Sequence, residues 1–239
     1  MFNPEKIDGE VSRLTEVIAE KQRDLELDDV TYTSNLAEEN IEKRANRDLR
    51  QFKYNFTALK EFFGTSSLYE ILKASSPDGK ISVLELGAGE GVALSQIKGM
   101  DVDSIETTAV EVDEQKAEML AGVSGVDKVE NVTAEAFLPE HRYNLIYDMY
   151  GSVSYTQREF RKDLILKYCH SLKKGGVMLI AFDFYIYHDE QLDKDRPWII
   201  QNSLSPTSDL EVDQVELVRQ IRGIETTLEK MGFKAIFYI

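Results

Sequence analysis

Residues Val83–Leu94 read VLELGAGEGVAL, with three glycines, Gly87, Gly89 and Gly91, at alternate positions directly after a run patterned as a buried strand. Glycine weakens a strand and costs conformational entropy, so three in succession need a physical reason. Close approach of a ligand to the backbone is one. The spacing discriminates between ligands. Dinucleotide-binding loops use G-x-G-x-x-G, whose third glycine lets helix and strand pack tightly beneath a pyrophosphate. Val92 stands at that position here, and no lysine followed by Ser or Thr completes a phosphate-binding P-loop. The loop reads as one built for a nucleoside without phosphates.

From Ile81 onward the pattern supports a doubly wound fold. Short apolar runs, ISVLEL, TTAVEV, VENVT, YNLIYDM and GVMLIAFDF, alternate with helical patterns at 91–99, 114–122, 156–173 and 211–231. Strand–helix alternation of this kind predicts a Rossmann-like α/β architecture: a mostly parallel sheet with helices on both faces. Residues 1–79 read instead as a helical N-terminal extension or lid, leaving 80–239 as the nucleoside-binding domain. Val11, Leu14, Ile18 and Leu25 recur at helical spacing. Asn35 with Glu38 forms a capping pair for a helix that places Ile41, Ala45, Leu49, Phe52, Phe56, Leu59 and Phe63 on one face, with Gly64 as its stop. Ser67 and Glu70 repeat the capping pair for a short helix ending near Ala74, and SSPDGK is a turn.

Composition narrows the function. The chain of 239 residues has 43 acidic and 28 basic residues, a net charge of −15. A surface this acidic repels a phosphate backbone, which argues against nucleic acid as a partner. No apolar run is long enough to cross a membrane, and the start, MFNPEKIDGEVSRL, lacks the basic-then-apolar order of a secretory signal. The single cysteine, Cys169, can make no internal disulfide and sits in the apolar pattern LILKYCHSL, as a buried small residue does. A reducing cytoplasm is the expected location.

The segment Glu85-Leu86-Gly87-Ala88-Gly89-Glu90-Gly91 resembles the acidic-x-G-x-G-x-G signature of class I S-adenosylmethionine-dependent methyltransferases, and the resemblance covers residues 81–239. It implies S-adenosylmethionine as cofactor and S-adenosylhomocysteine as product. Twenty residues past Gly91, AVEVDEQ supplies Glu111, matched to the family's ribose-binding acid, with Val112 beside it and Asp113 capping the next helix. NVTAEAFLP resembles the segment that holds the adenine, through Glu135 and Ala136. Glu85 is matched to the position near the methionine amino group, and Gly87, Ala88, Gly89 and Gly91 to the cofactor loop. YNLIYDMYGSVSY resembles the fourth strand and the loop facing the methyl group, with Asp148 at the strand end. LKKGGVMLIAF resembles the turn into strand five.

Methyl transfer from a sulfonium is an in-line displacement that mainly needs alignment, and sometimes removal of a proton. Asp148, Tyr150, Tyr155, Asp183, Tyr185 and His188 lie at the ends of strands four and five, and the catalytic reading falls on Asp148, Tyr150 and His188. A loop histidine such as His188 can serve as general base or simply be solvated. Asp148 and Asp183 resemble the cation ligands of catechol-type relatives, but Phe184 replaces the asparagine expected there, so no metal is assigned. The Asn/Asp-Pro-Pro-aromatic signature of DNA amine methylation is absent, and Cys169 lies in a helical pattern rather than at a nucleophile position. The acceptor is therefore read as a small molecule or a protein, met by the N-terminal helices, with Tyr54 and the phenylalanine stripe, and by residues 185–210 with Trp198. Arg44, Arg47 and Arg50 form a basic track that reads either as a solvated face or as a partner for a carboxylate.

Two alternatives remain open on sequence. A polyamine aminopropyltransferase shares GAGEG, VEVDE and Asp148, but the Asp-Pro expected after that strand is replaced by Met149-Tyr150. The other is a non-catalytic cofactor-binding protein acting through contacts. The family's sheet ends in a seventh, antiparallel strand, whereas KAIFYI closes this chain. An uncovered edge there predicts a homodimer or further C-terminal residues.

Overall fold

The computed structural model describes residues 9–24, 41–64, 67–149, 152–156, 158–181, 185–186, 198–199, 223–224 and 226–232. The chain divides into two compact units, Met1–Ala181 and Phe182–Ile239. In the first, α1 (Gly9–Asp24), α2 (Ile41–Phe63) and α3 (Leu68–Ala74) precede β1 (Ile81–Leu86). There follow α4 (Val92–Lys98), β2 (Ile105–Val110), α5 (Glu114–Leu120), β3 (Lys128–Glu130), β4 (Tyr143–Met149), α6 (Ser152–Tyr155), α7 (Arg158–His170) and β5 (Leu172–Ala181).

The five strands form one sheet in the order β3-β2-β1-β4-β5, every described pair parallel. This is the expected Rossmann-like α/β arrangement. The chain winds from β1 outward to β3, then returns past β1 to β4 and winds the other way. Right-handed crossovers in opposite directions put α4 and α5 on one face and α7 on the other. α2 and α3 pack with α4's face, while α1 lies along α7 and ties to it through Lys21 and Asp163. The winding reverses between β1 and β4, and a ligand crevice opens at the carboxyl ends of strands at such a reversal.

β1 is buried along its whole length, because its faces are covered from both sides. Phe52, Phe56 and Leu59 of α2 join Leu68, Ile71 and Leu72 of α3 and the β1–α4 residues in one core. Phe52 and Phe56 lie against the Tyr147 ring of β4, at centroid distances of 6.4 and 5.2 Å. The phenylalanine stripe is thus core at these two positions. Phe63, expected on the same face, is 47% exposed. A helical side chain leans over the preceding turn, and the chain leaves the helix at left-handed Gly64 (φ 65°), so no later turn covers Phe63. The Ser67 and Asp113 caps form as expected, each hydroxyl or carboxylate accepting from the amide three residues on. Asn35 and Glu38 lie outside the described residues.

β5 begins four residues before the expected GVMLIAFDF run, and LKKGG belongs to the strand rather than to a turn. Tyr143 pairs with Leu172 and Leu145 with Val177, so the register shifts around Asn144. At this bulge Gly176 is crowded by backbone: an added Cβ would sit 2.9 Å from the carbonyl oxygens of Lys173 and Tyr143. Asn144, completely buried, fills the gap. Its Oδ1 accepts from the Ser82 amide at 2.8 Å, and its Nδ2 donates to the Ser75 carbonyl and hydroxyl at 2.9 and 3.0 Å. Cys169, on α7, is buried with its Sγ 3.9 Å from Met178 Sδ, and burial pushes its thiol up to about 12.

In the second unit β6 (Tyr185–Ile186) and β7 (Trp198–Ile199) form an antiparallel pair, and residues 226–230 are helical, ending at left-handed Gly232 (φ 86°). The expected terminal strand KAIFYI lies outside the described residues. No helix among the described residues is long and apolar enough to cross a membrane.

Candidate active site

The loop after β1 is folded back over the end of β2. The Gly87 and Ala88 amides both donate to the Val110 carbonyl, at 2.8 and 3.1 Å. Gly87, Gly89 and Gly91 all take left-handed backbone (φ 67°, 53° and 67°), which an L side chain resists. Two of them then answer different needs. A Cβ on Gly89 would meet nothing within 4 Å, so its open side faces free space. A Cβ on Gly91 would lie 2.7 Å from Leu120 Cδ2 and 3.3 Å from Val126, so side-chain packing at the start of α4 adds to the left-handed backbone in favouring glycine there.

Glu111 leaves the end of β2 and turns back to this loop. Its Oε2 accepts from the Gly89 amide at 2.9 Å and its Oε1 from the Asp113 amide at 3.0 Å. Asn131 holds the backbone on either side, donating to the carbonyls of Glu111 (2.9 Å) and Val112 (3.2 Å). Glu111 is 6% exposed, with both carboxylate oxygens fixed and lone pairs to spare. Val112 beside it is 39% exposed, an apolar surface open to a flat ring.

Glu85, one residue before the end of β1, is 3% exposed, and its Oε2 has no hydrogen-bond partner among the described residues. Burial raises its carboxyl well above the usual range, the charge of Asp48 on α2 adds to this, and Asp148 and Glu111 contribute further; a hydrogen bond from the Leu94 backbone opposes them. Asp148, completely buried at the end of β4, accepts from the Val153 amide of α6 at 2.7 Å. Three further carboxylates, from two strand ends and a helix, therefore act electrostatically on Glu85. The sequence indicated two of them; Asp48 was hidden among the charges of an amphipathic helix.

Glu135 is buried, with its Oε1 2.5 Å from the Thr156 hydroxyl just past α6. The Ala136 amide donates within its own turn, to the Thr133 carbonyl (3.1 Å) and hydroxyl (3.2 Å). Tyr150, Asp183 and His188 lie outside the described residues, and of Tyr155 and Tyr185 only the backbone is described. Among the described residues no group of three His, Cys, Asp or Glu side chains is arranged to hold a metal ion. Sequence reading missed Lys167, a lysine of α7 with no exposure at all.

No family model and no curated protein matches the chain. Among solved structures it is similar to the S-adenosylmethionine-bound amino pentose methyltransferase CalS10 from Micromonospora echinaspora, at 12% identity and a TM-score of 0.46, over 62% of this chain and 58% of that one. It is also similar to the plantazolicin methyltransferase BpumL in complex with SAH, at 16% identity and a TM-score of 0.44, over 70% of this chain and 58% of that one. The sugar N-methyltransferase KedS8 from Streptoalloteichus sp ATCC 53650 matches at 17% identity and a TM-score of 0.38, over 46% of this chain. The matched part spans 44% to 58% of these three chains.

Proposed function

We propose that this chain is an S-adenosylmethionine-dependent methyltransferase acting on an oxygen or nitrogen of a small-molecule or protein acceptor. The observation that carries the reading is the buried Glu85 carboxylate with one oxygen unpartnered among the described residues, in the field of three further acids. Such a place suits a cation, and S-adenosylmethionine brings two, an ammonium and a sulfonium, on a nucleoside without phosphates. When bound, the cofactor supplies a methyl group on positively charged sulfur and leaves as S-adenosylhomocysteine.

The chain's own residues then divide the work. Glu85 accepts from the ammonium with its spare oxygen. Glu111, held by the Gly89 and Asp113 amides, accepts from the ribose hydroxyls. Gly89 leaves its open side for the nucleoside, and Val112 lies under the base. Segment 134–136 takes the base edge. Asp148, oriented by the Val153 amide, fixes the start of the loop that faces the methyl group. Tyr150 and His188 are assigned to the acceptor side, with His188 receiving the acceptor's proton.

Calorimetric titration with S-adenosylmethionine, S-adenosylhomocysteine and decarboxylated S-adenosylmethionine, on the parent and on Glu111→Ala, tests this. Binding of the carboxylated forms, lost in the variant, is expected. A preference for the decarboxylated form would replace the reading with aminopropyl transfer, and no binding of any of the three would end it.

A further inference from the structure

Lys167 is the one lysine with no exposure among the described residues, and burial pushes it down to about 7 against the opposing pull of Glu135. Burying an ammonium is costly, and an apolar side chain of similar length would fill the space more cheaply. Its Nζ instead donates to the Glu135 carbonyl at 2.9 Å and the Ala134 carbonyl at 3.3 Å. The next residue on α7, Tyr168, donates its hydroxyl to the same Ala134 carbonyl at 2.6 Å. Two adjacent side chains thus grip the 134–135 segment from behind, while the Glu135 carboxylate is anchored at Thr156.

The peptide group matters here. The Ala134 carbonyl belongs to the same amide as the Glu135 N–H, and hydrogen bonds received at the oxygen polarise the N–H and strengthen it as a donor. The Ala136 amide is already engaged with Thr133, whereas the Glu135 amide has no partner among the described residues. We infer that Lys167, with Tyr168, is a positioning residue for the adenine end of the cofactor: it holds and polarises the 134–135 peptide so that the Glu135 amide, rather than that of Ala136, donates to the base nitrogen N1. The inference rests on the methyltransferase reading of the site.

The test measures affinity for S-adenosylhomocysteine and for its 1-deaza analogue, in which C–H replaces N1, at about pH 6, where Lys167 is charged. The parent is expected to prefer the natural compound. In Lys167→Met that compound is expected to lose about tenfold in affinity while the analogue changes by less than about twofold. Tyr168→Phe should show the same selectivity with a smaller loss, and it carries the test if circular dichroism shows Lys167→Met unfolded. Equal losses for both compounds would make the pair merely structural and overturn the inference. Equal binding of both by the parent would overturn it while leaving the cofactor reading intact. Failure of the parent to bind S-adenosylhomocysteine at all would remove both.

Discussion

The two ends of β1 and β4 bury polar side chains equally deeply and treat them in opposite ways. At the amino ends, Asn144 is completely buried and bonds to Ser82 and to Ser75, joining both strands to the turn after α3. At the carboxyl ends, Glu85 is almost as buried, yet one oxygen has no partner among the described residues and the neighbouring charges are of its own sign. A satisfied buried amide fixes the register of the sheet. An unsatisfied buried acid works against the fold and is tolerable where a ligand completes it. One end of the sheet is closed by satisfied hydrogen bonds, and the other keeps the buried acid that the proposed cofactor would complete.

The contrast can be broken most forcefully at the stable end. Asn144→Ala would strand the Ser82 amide and the Ser75 carbonyl in the interior, and a loss of about 3 kcal/mol in urea unfolding is expected. At the binding end the largest effect belongs to Glu111→Ala: about a hundredfold weaker S-adenosylmethionine binding by calorimetry, with a smaller shift in melting temperature. Gly91→Ala separates the loop's two roles. It combines left-handed strain with a 2.7 Å approach to Leu120, so about 2 kcal/mol of stability should go, against about 1 kcal/mol for Gly89→Ala, where there is space. Gly89→Ala in turn should weaken cofactor binding out of proportion to its stability cost.

Glu85→Gln sharpens the comparison because its two effects have opposite signs. Cofactor affinity should drop about tenfold, while the ligand-free chain gains about 1 kcal/mol at neutral pH. The pH dependence follows from the raised carboxyl. The folded chain binds this proton more tightly than the unfolded one, so Glu85's contribution is complete below the ordinary carboxylate range and is lost as pH rises from there through the folded value. The variant's advantage in urea midpoint should therefore widen with rising pH. An advantage that stays constant would show that the folded chain holds this proton no more tightly than the unfolded one. The smallest effect is expected for Lys128→Ala, which removes ion pairs to Glu130 and Glu140 with partly exposed side chains, for less than about 1 kcal/mol in the same assay.

How much of this could be read from the chain follows from the kind of signal each residue leaves. Strands buried on both faces show as apolar runs, and the caps at Ser67 and Asp113 depend on residues three apart, so both were legible. Glu111 was legible through its distance from the glycine loop. The register shift at Asn144 was not, because LKKGG has the composition of a turn and its partner strand is remote in sequence. Lys167 and Asp48 were hidden for a related reason. On an amphipathic helix a charged residue is expected to face water, and only the packing of α7 on the 134–135 segment, or of α2 on the sheet, reveals otherwise. Phe63 erred in the reverse sense, since helical periodicity runs to the last residue while coverage stops a turn earlier.

The buried thiol of Cys169 gives the molecule its own clock. With its thiolate suppressed in the closed state and no second cysteine in the chain, alkylation can proceed only during moments when α7 lifts from β5. The rate of that reaction, followed by mass with and without S-adenosylhomocysteine, therefore counts openings beside Lys167 and Tyr168 without any introduced probe.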